Sequence, residues 1–123
     1  MKKKNRVKIP ESKWRWKGLA GHFCGASKCS FRMNTHVGNF RVSTIGAYYP
    51  NGLTEDMTEI GFNRHYETMV FPIDKQGHVL EYSELDTDGI EHKKGLNPYE
   101  SDKKAEVMHL KMCRKYARKN NGL

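Results

Sequence analysis

A chain of 123 residues, 37% hydrophobic and 29% charged, matches one folded domain and excludes both two independent cores and a disordered polyampholyte. The net charge is +8, and no run of about 18 apolar residues exists to cross a membrane. The start Met1-Lys2-Lys3-Lys4-Asn5-Arg6 is basic like the first region of a signal peptide, but Arg15 and Lys17 interrupt the place of an apolar core, so export is not expected.

Residues 1–13 read as a flexible basic arm, because Pro10 interrupts any early helix and apolar residues are few. Residues 14–123 then form a single α+β domain. Trp14-Arg15-Trp16 suits a short strand or an aromatic anchor, and Gly18-Leu19-Ala20-Gly21 a turn. The β-branched and aromatic content of residues 31–35 and 40–45 predicts two strands, joined by a hairpin loop over residues 36–39. Tyr49-Pro50-Asn51-Gly52 is a turn signal. Residues 67–73 and 78–82 predict a second hairpin across residues 74–77, with Pro72 moving its strand toward a sheet edge. Residues 84–96, acidic and then basic with Gly89 and Gly95, read as a loop.

The last element is an amphipathic helix. Asn97 offers an N-cap, with Pro98 in the first turn and Glu100 three residues on; Ser101 is the alternative cap. At 100° per residue, Ala105, Met108, His109, Met112, Cys113 and Tyr116 share one face. Lys103, Lys104, Lys111, Arg114, Lys115 and Arg118 gather opposite. An end near Asn120-Asn121-Gly122 fits C-terminal capping. The expected fold is a small antiparallel sheet of about four strands with this helix packed on it.

Charge is unevenly spread. Residues 1–41 hold eleven Lys/Arg against one acid, residues 42–91 hold ten acids against two bases, and residues 92–123 hold nine bases against three acids. Such basic ends attract polyanions, because every phosphate contact releases counterions; internal neutralisation of the acidic middle is the alternative. The candidate contacts begin with the arm residues Lys2, Lys3, Lys4, Arg6 and Lys8. They continue with Arg15 and Lys17 beside the tryptophans, where aromatic and cationic side chains interleave as in single-strand binders. Arg32 and Arg41 follow on adjacent strands, opposed or diagonal if the register allows, and Lys111, Arg114, Lys115 and Arg118 form the helix face.

Three cysteines, an odd number without disulfide-framework spacing, suit a reducing cytoplasm. Cys24 and Cys29, with His109 and Cys113 one helical turn apart, make a candidate structural zinc set; ordinary core packing is the other reading. No other cofactor is indicated. His22, His36 and His65 read as surface or turn histidines. No His-Asn-His spacing, paired acidic motif, P-loop or dinucleotide fingerprint occurs, and no base is marked to activate a cysteine.

Gly21-His22-Phe23, Cys29-Ser30-Phe31-Arg32, Val42-Ser43-Thr44-Ile45-Gly46 and Tyr66-Glu67-Thr68-Met69-Val70-Phe71, in that order, resemble small proteins encoded by phages and prophages. The resemblance runs from about Trp14 to the C-terminal helix. It implies an accessory factor inside a bacterial cell, either associated with DNA or inhibiting host defence, and it assigns no catalytic residue. The expected function is therefore a non-enzymatic protein that binds nucleic acid or a nucleoprotein through a basic surface. A direct inhibitor of a host defence protein and a small metal-dependent nuclease are the alternatives.

Overall fold

The computed structural model describes residues 8–18, 22, 25–53, 56–93 and 95–118. Five strands form one antiparallel sheet in sequential order: β1 (Arg15–Lys17), β2 (Cys29–Val37), β3 (Phe40–Tyr48), β4 (Tyr66–Pro72) and β5 (Asp86–Ile90). One helix, α1 (Pro98–Ala117), packs across the sheet. Among the described residues, no helix is long and apolar enough to cross a membrane.

The β2–β3 hairpin closes through two residues rather than four. Val37 pairs with Phe40, and Gly38 takes φ 60° between them. A positive φ at the first central position and not at the second, Asn39, is the signature of a type II′ turn, whose twist matches the flanking strands and which favours glycine at the first. This turn fixes the register, and with it the face on which each side chain stands. Phe31, Met33, Thr35 and Val37 of β2 share the helix side with Phe40, Val42 and Thr44 of β3 and Tyr66, Thr68 and Val70 of β4. The core between sheet and helix holds Trp14, Val37, Val42, Val70, Met112, Cys113, Tyr116 and Ala117.

Every residue placed on the apolar side of the helical wheel is buried, and all six cations opposite are exposed. The Asn97 side chain caps the Tyr99 N–H at 2.8 Å with Pro98 next to it. Ser101 is no cap; it is buried, 2.6 Å from His92 Nδ1. The described helix ends at Ala117, and residues 119–123 lie outside the described part.

Three expectations change. The partner of β4 beyond β3 is β5, formed by an Asp-Thr-Asp-Gly-Ile segment that reads as loop, whereas residues 78–82 contribute only a bridge between Ile73 and Val79. The expected turn at residues 74–77 does form, with Asp74 accepting the N–H groups of Gln76 and His78 and donating its own N–H to His78 O, but no strand follows it over residues 78–82. With β5 in place, β4 is an interior strand. Pro72 is tolerated because β5 pairs only as far as Val70, so its missing N–H falls beyond the ladder. Finally, residues 8–13 are not a free arm. Ile9 N–H donates to Ala117 O at 2.8 Å, its carbonyl accepts Trp14 Nε1–H at 3.2 Å, and Glu11–Lys13 form a 3₁₀ turn.

Candidate nucleic-acid interface

A strand presents successive side chains to opposite faces, so the strand register assigns the open side of the sheet residue by residue. Arg15 lies opposite His36, which lies opposite Arg41, which lies opposite Phe71. The next row holds Lys17, Asn34, Ser43 and Met69. A third holds Arg32, Ile45 and Glu67. Arg15, Lys17, Arg32 and Arg41 therefore share the face away from α1. Arg32 and Arg41 are not neighbours, because four residues of β2 separate Arg32 from the Arg15–His36–Arg41 row, about 13 Å of strand.

The same alternation separates the aromatic from the cationic side chains of the 14–17 segment. Trp14 is 6% exposed in the core, and Trp16, 49% exposed, pairs with Thr35 on the helix side. The tryptophans consequently do not interleave with Arg15 and Lys17 on one surface.

His36 records how concentrated the positive charge is. Burial first, then Lys17, Arg15 and Arg41, push its pKa down to about 4, so the ring is neutral at pH 7. Burial also lowers Arg41 from its ordinary value. Asn34 Oδ1, His36 Nδ1 and Arg41 Nε are buried and have no hydrogen-bond partner among the described residues. His36 and Arg41 form a cross-strand pair, and Asn34 is two residues from His36 on the same face of β2. A buried polar group without a partner costs about 1–3 kcal/mol, so the three carry a local cost directly beneath the cationic face.

Beside them, His22 bridges Ser43 Oγ (2.8 Å, from Nδ1) and Glu67 Oε1 (3.2 Å, from Nε2). Arg64 reaches Glu67 Oε2 at 3.2 Å and Thr87 Oγ1 at 2.8 Å. Burial acts to raise the Glu67 carboxyl, yet the His22 and Arg64 contacts outweigh it and hold it below its usual range. Glu67 is the one acid that register places on the open face of β1–β4, and its charge is already engaged. Serine, histidine and glutamate in contact suggest a hydrolytic triad, but Ser43 is fully buried, so its hydroxyl meets no substrate. The group pins His22 to the sheet. A cavity of about 340 Å³ opens next to it, lined by His22, Arg41, Met69, Phe71, Tyr82 and Glu84 with Val79.

The helix cations lie on the far side of the molecule. Lys111, Arg114, Lys115 and Arg118 are exposed, but Lys115 Nζ is bound to Asp86 at 2.6 Å and Glu106 shares the exposed side. Lys8 is exposed next to this end of the helix; Lys2, Lys3, Lys4 and Arg6 lie outside the described residues.

The zinc set does not assemble from its described members. Both His109 nitrogens are engaged, Nε2 with Thr35 Oγ1 at 2.8 Å and Nδ1 with Thr44 Oγ1 at 2.7 Å. Cys113 belongs to the core under Trp14, whereas Cys29 packs with Ala26 and Ile45 toward the other end of the sheet. Burial raises the thiols to about 12 and about 11, so neither is a thiolate at neutral pH. Cys24 lies outside the described residues. No group of three or more His, Cys, Asp or Glu suited to a metal forms among the described residues.

His65 and His92 meet in a second cleft. His65 Nδ1 accepts the His92 backbone N–H at 2.9 Å, so the neutral ring carries its proton on Nε2, which makes that atom a donor and no ligand or base. His22 and His36 have buried side chains rather than surface ones, and for His36 the pairing register reveals it. A two-residue turn at Gly38-Asn39, read in place of a four-residue loop, sets His36 against Arg41 and would have exposed the cluster. No protein-family model, curated protein or solved structure matches this chain.

Proposed function

We propose that this protein is a non-catalytic nucleic-acid-binding domain that holds the phosphate backbone on the open sheet face at β1, β2 and β3. The observation that carries the reading is the register, which puts Arg15, Lys17, Arg32 and Arg41 on one face where the strands place a single acid, Glu67, that is already paired. Arginine and lysine there supply donors without acceptors, matched to phosphate oxygens. The resemblance to phage and prophage proteins supplies the setting, a factor acting inside a bacterial cell. The metal-dependent nuclease gains no support from the described side chains.

Fluorescence anisotropy with labelled nucleic acid over a salt series tests this. Replacing Arg15, Lys17 and Arg32 together by glutamine weakens binding on all sequences alike. It also flattens the log–log salt slope by about 0.9 for each duplex phosphate that is no longer neutralised, or about 0.7 on a single strand. The matching replacement of Lys111, Arg114 and Arg118 changes little. If the sheet variant stays folded with wild-type affinity and slope, the reading is wrong.

A protein partner has one observation of its own. Leu80, Tyr82 and Leu85 are exposed among Glu81 and Glu84, an acidic and apolar surface suited to a basic protein groove. Absence of nucleic-acid binding together with capture of a host protein, abolished by Leu80→Asp, would favour the inhibitor reading.

A further inference from the structure

We propose that the cavity between β3, β4 and residues 79–84 takes one unpaired nucleotide, so that the sheet face selects single strands over duplex. The inference rests on the nucleic-acid reading above and names the form of the ligand. The cavity, about 340 Å³, lies at the inner end of the cationic rows, with Arg41 belonging to both. Arg41 lines the cavity, and its guanidinium only donates, so it offers hydrogen bonds to an acceptor such as a phosphate or base carbonyl oxygen.

The opposite wall is aromatic. Tyr82 is 81% exposed, and its ring lies 6.4 Å from that of Phe71 at 59°. Phe71 is buried and holds the site's floor, while the open face of Tyr82 is free for a base to stack on. Glu84 sets polarity. A carboxylate repels phosphate but accepts N–H groups from a base edge, so the base faces Tyr82 and Glu84 and its phosphate faces Arg41. The preceding phosphates then run toward His36, Lys17 and Arg15 along the pairing rows. A duplex keeps its bases stacked inside and cannot insert one here without unpairing it, at a penalty of a few kcal/mol.

The test measures anisotropy of one labelled oligonucleotide, single-stranded and annealed to its complement, at a fixed salt concentration. The single strand binds at least about tenfold tighter than the duplex. Tyr82→Ala weakens the single strand roughly five- to 150-fold, the range of one base–aromatic stack, and leaves duplex affinity unchanged. Tyr82→Phe restores single-strand binding, because the ring and not the hydroxyl is required. Tyr82 is exposed, so folding is not at stake. Equal or tighter binding of the duplex, or no effect of Tyr82→Ala, overturns the inference. In that case the sheet reading stands if the Arg15, Lys17 and Arg32 variant still lowers affinity. No binding of either form overturns both.

Discussion

Ala47 has φ 53° inside β3, a left-handed backbone that a residue with a Cβ adopts at roughly 1–2 kcal/mol. The kink has a purpose visible in the packing. Up to Gly46 the strand alternates regularly, but beyond Ala47 the last pair of the hairpin, Cys29 and Tyr48, clusters with Ile45, which register assigns to the open side. Ala47 itself is packed with Tyr66, Ala105 and Met108. Cys29 is turned toward the open side as well, although the six residues of β2 from Cys29 to Thr35, about 20 Å of strand, already hold it away from Cys113. Replacing Ala47 by glycine relieves the strain while removing a buried methyl, about 0.8 kcal/mol, and adding roughly 0.5–1 kcal/mol of chain freedom to the unfolded state. The opposing effects leave Ala47→Gly within about 1 kcal/mol of wild type. Ala105→Gly, equally buried but in a relaxed helix, loses about 2 kcal/mol. Urea unfolding midpoints compare the two, and equal losses would show that no strain is stored at Ala47.

Between elements, Gly46 of β3 pairs with Tyr66 of β4, whose ring lies over the glycine. A Cβ at Gly46 would lie 2.8 Å from Tyr66 Cα and closer still to the ring. Tyr66 cannot yield. It is fully buried, stacked edge-on against Phe31 at 5.7 Å, and donates its hydroxyl to Asp102 of α1 at 2.5 Å. Gly46→Ala therefore destabilises by at least about 2 kcal/mol, read as a lower urea midpoint, whereas Gly18→Ala, with nothing within 4 Å, stays within about 0.5 kcal/mol. Equal midpoints would mean that the strands part easily. This contrast also marks what the sequence makes legible. The first hairpin and α1 announce themselves, because their own residues carry the pattern: β-branched alternation in one, a 3.6-residue apolar face in the other. Nothing in Asp86, Thr87, Asp88 and Gly89 favours a strand. They pair because β4 has a free edge, and Asp86 is held there by Lys115 at 2.6 Å and Tyr116 at 3.1 Å, contacts made across tertiary space. The candidate site is legible in part for the same reason. Arg15, Lys17, Arg32 and Arg41 stand out as charges, but their common face, and the buried Asn34 and His36 among them, depend on a register that one turn residue decides.

For the molecule as a whole, two buried imidazoles on opposite faces of the sheet tie stability to pH. His109, between Thr35 and Thr44 under α1, is pushed down to about 4 by burial. His36, on the cationic face, reaches about 4 through burial and then through Lys17, Arg15 and Arg41. Both titrate near 6.5 in the unfolded chain. Between pH 6.5 and 4 the unfolded state thus holds more protons than the folded one, so stability rises with pH across this window and is lost as pH falls. Each histidine contributes up to about 3 kcal/mol of that loss, since one pKa unit is about 1.36 kcal/mol. Glu67 and Asp86, held below the usual carboxylate range, add losses of the same sign at lower pH, as they protonate in turn. Urea unfolding at intervals from pH 7 to 4.5 should show stability falling along a slope that approaches two protons. His109→Gln lowers stability at pH 7, because glutamine fits the two threonines less well, yet it reduces the slope by one proton, about 1.4 kcal/mol per pH unit. His36→Gln removes the second proton while leaving α1 and its core packing in place. A slope unchanged by both substitutions would place the acid sensitivity in the carboxylates and deny that burial, aided by the cations around it, keeps His36 neutral.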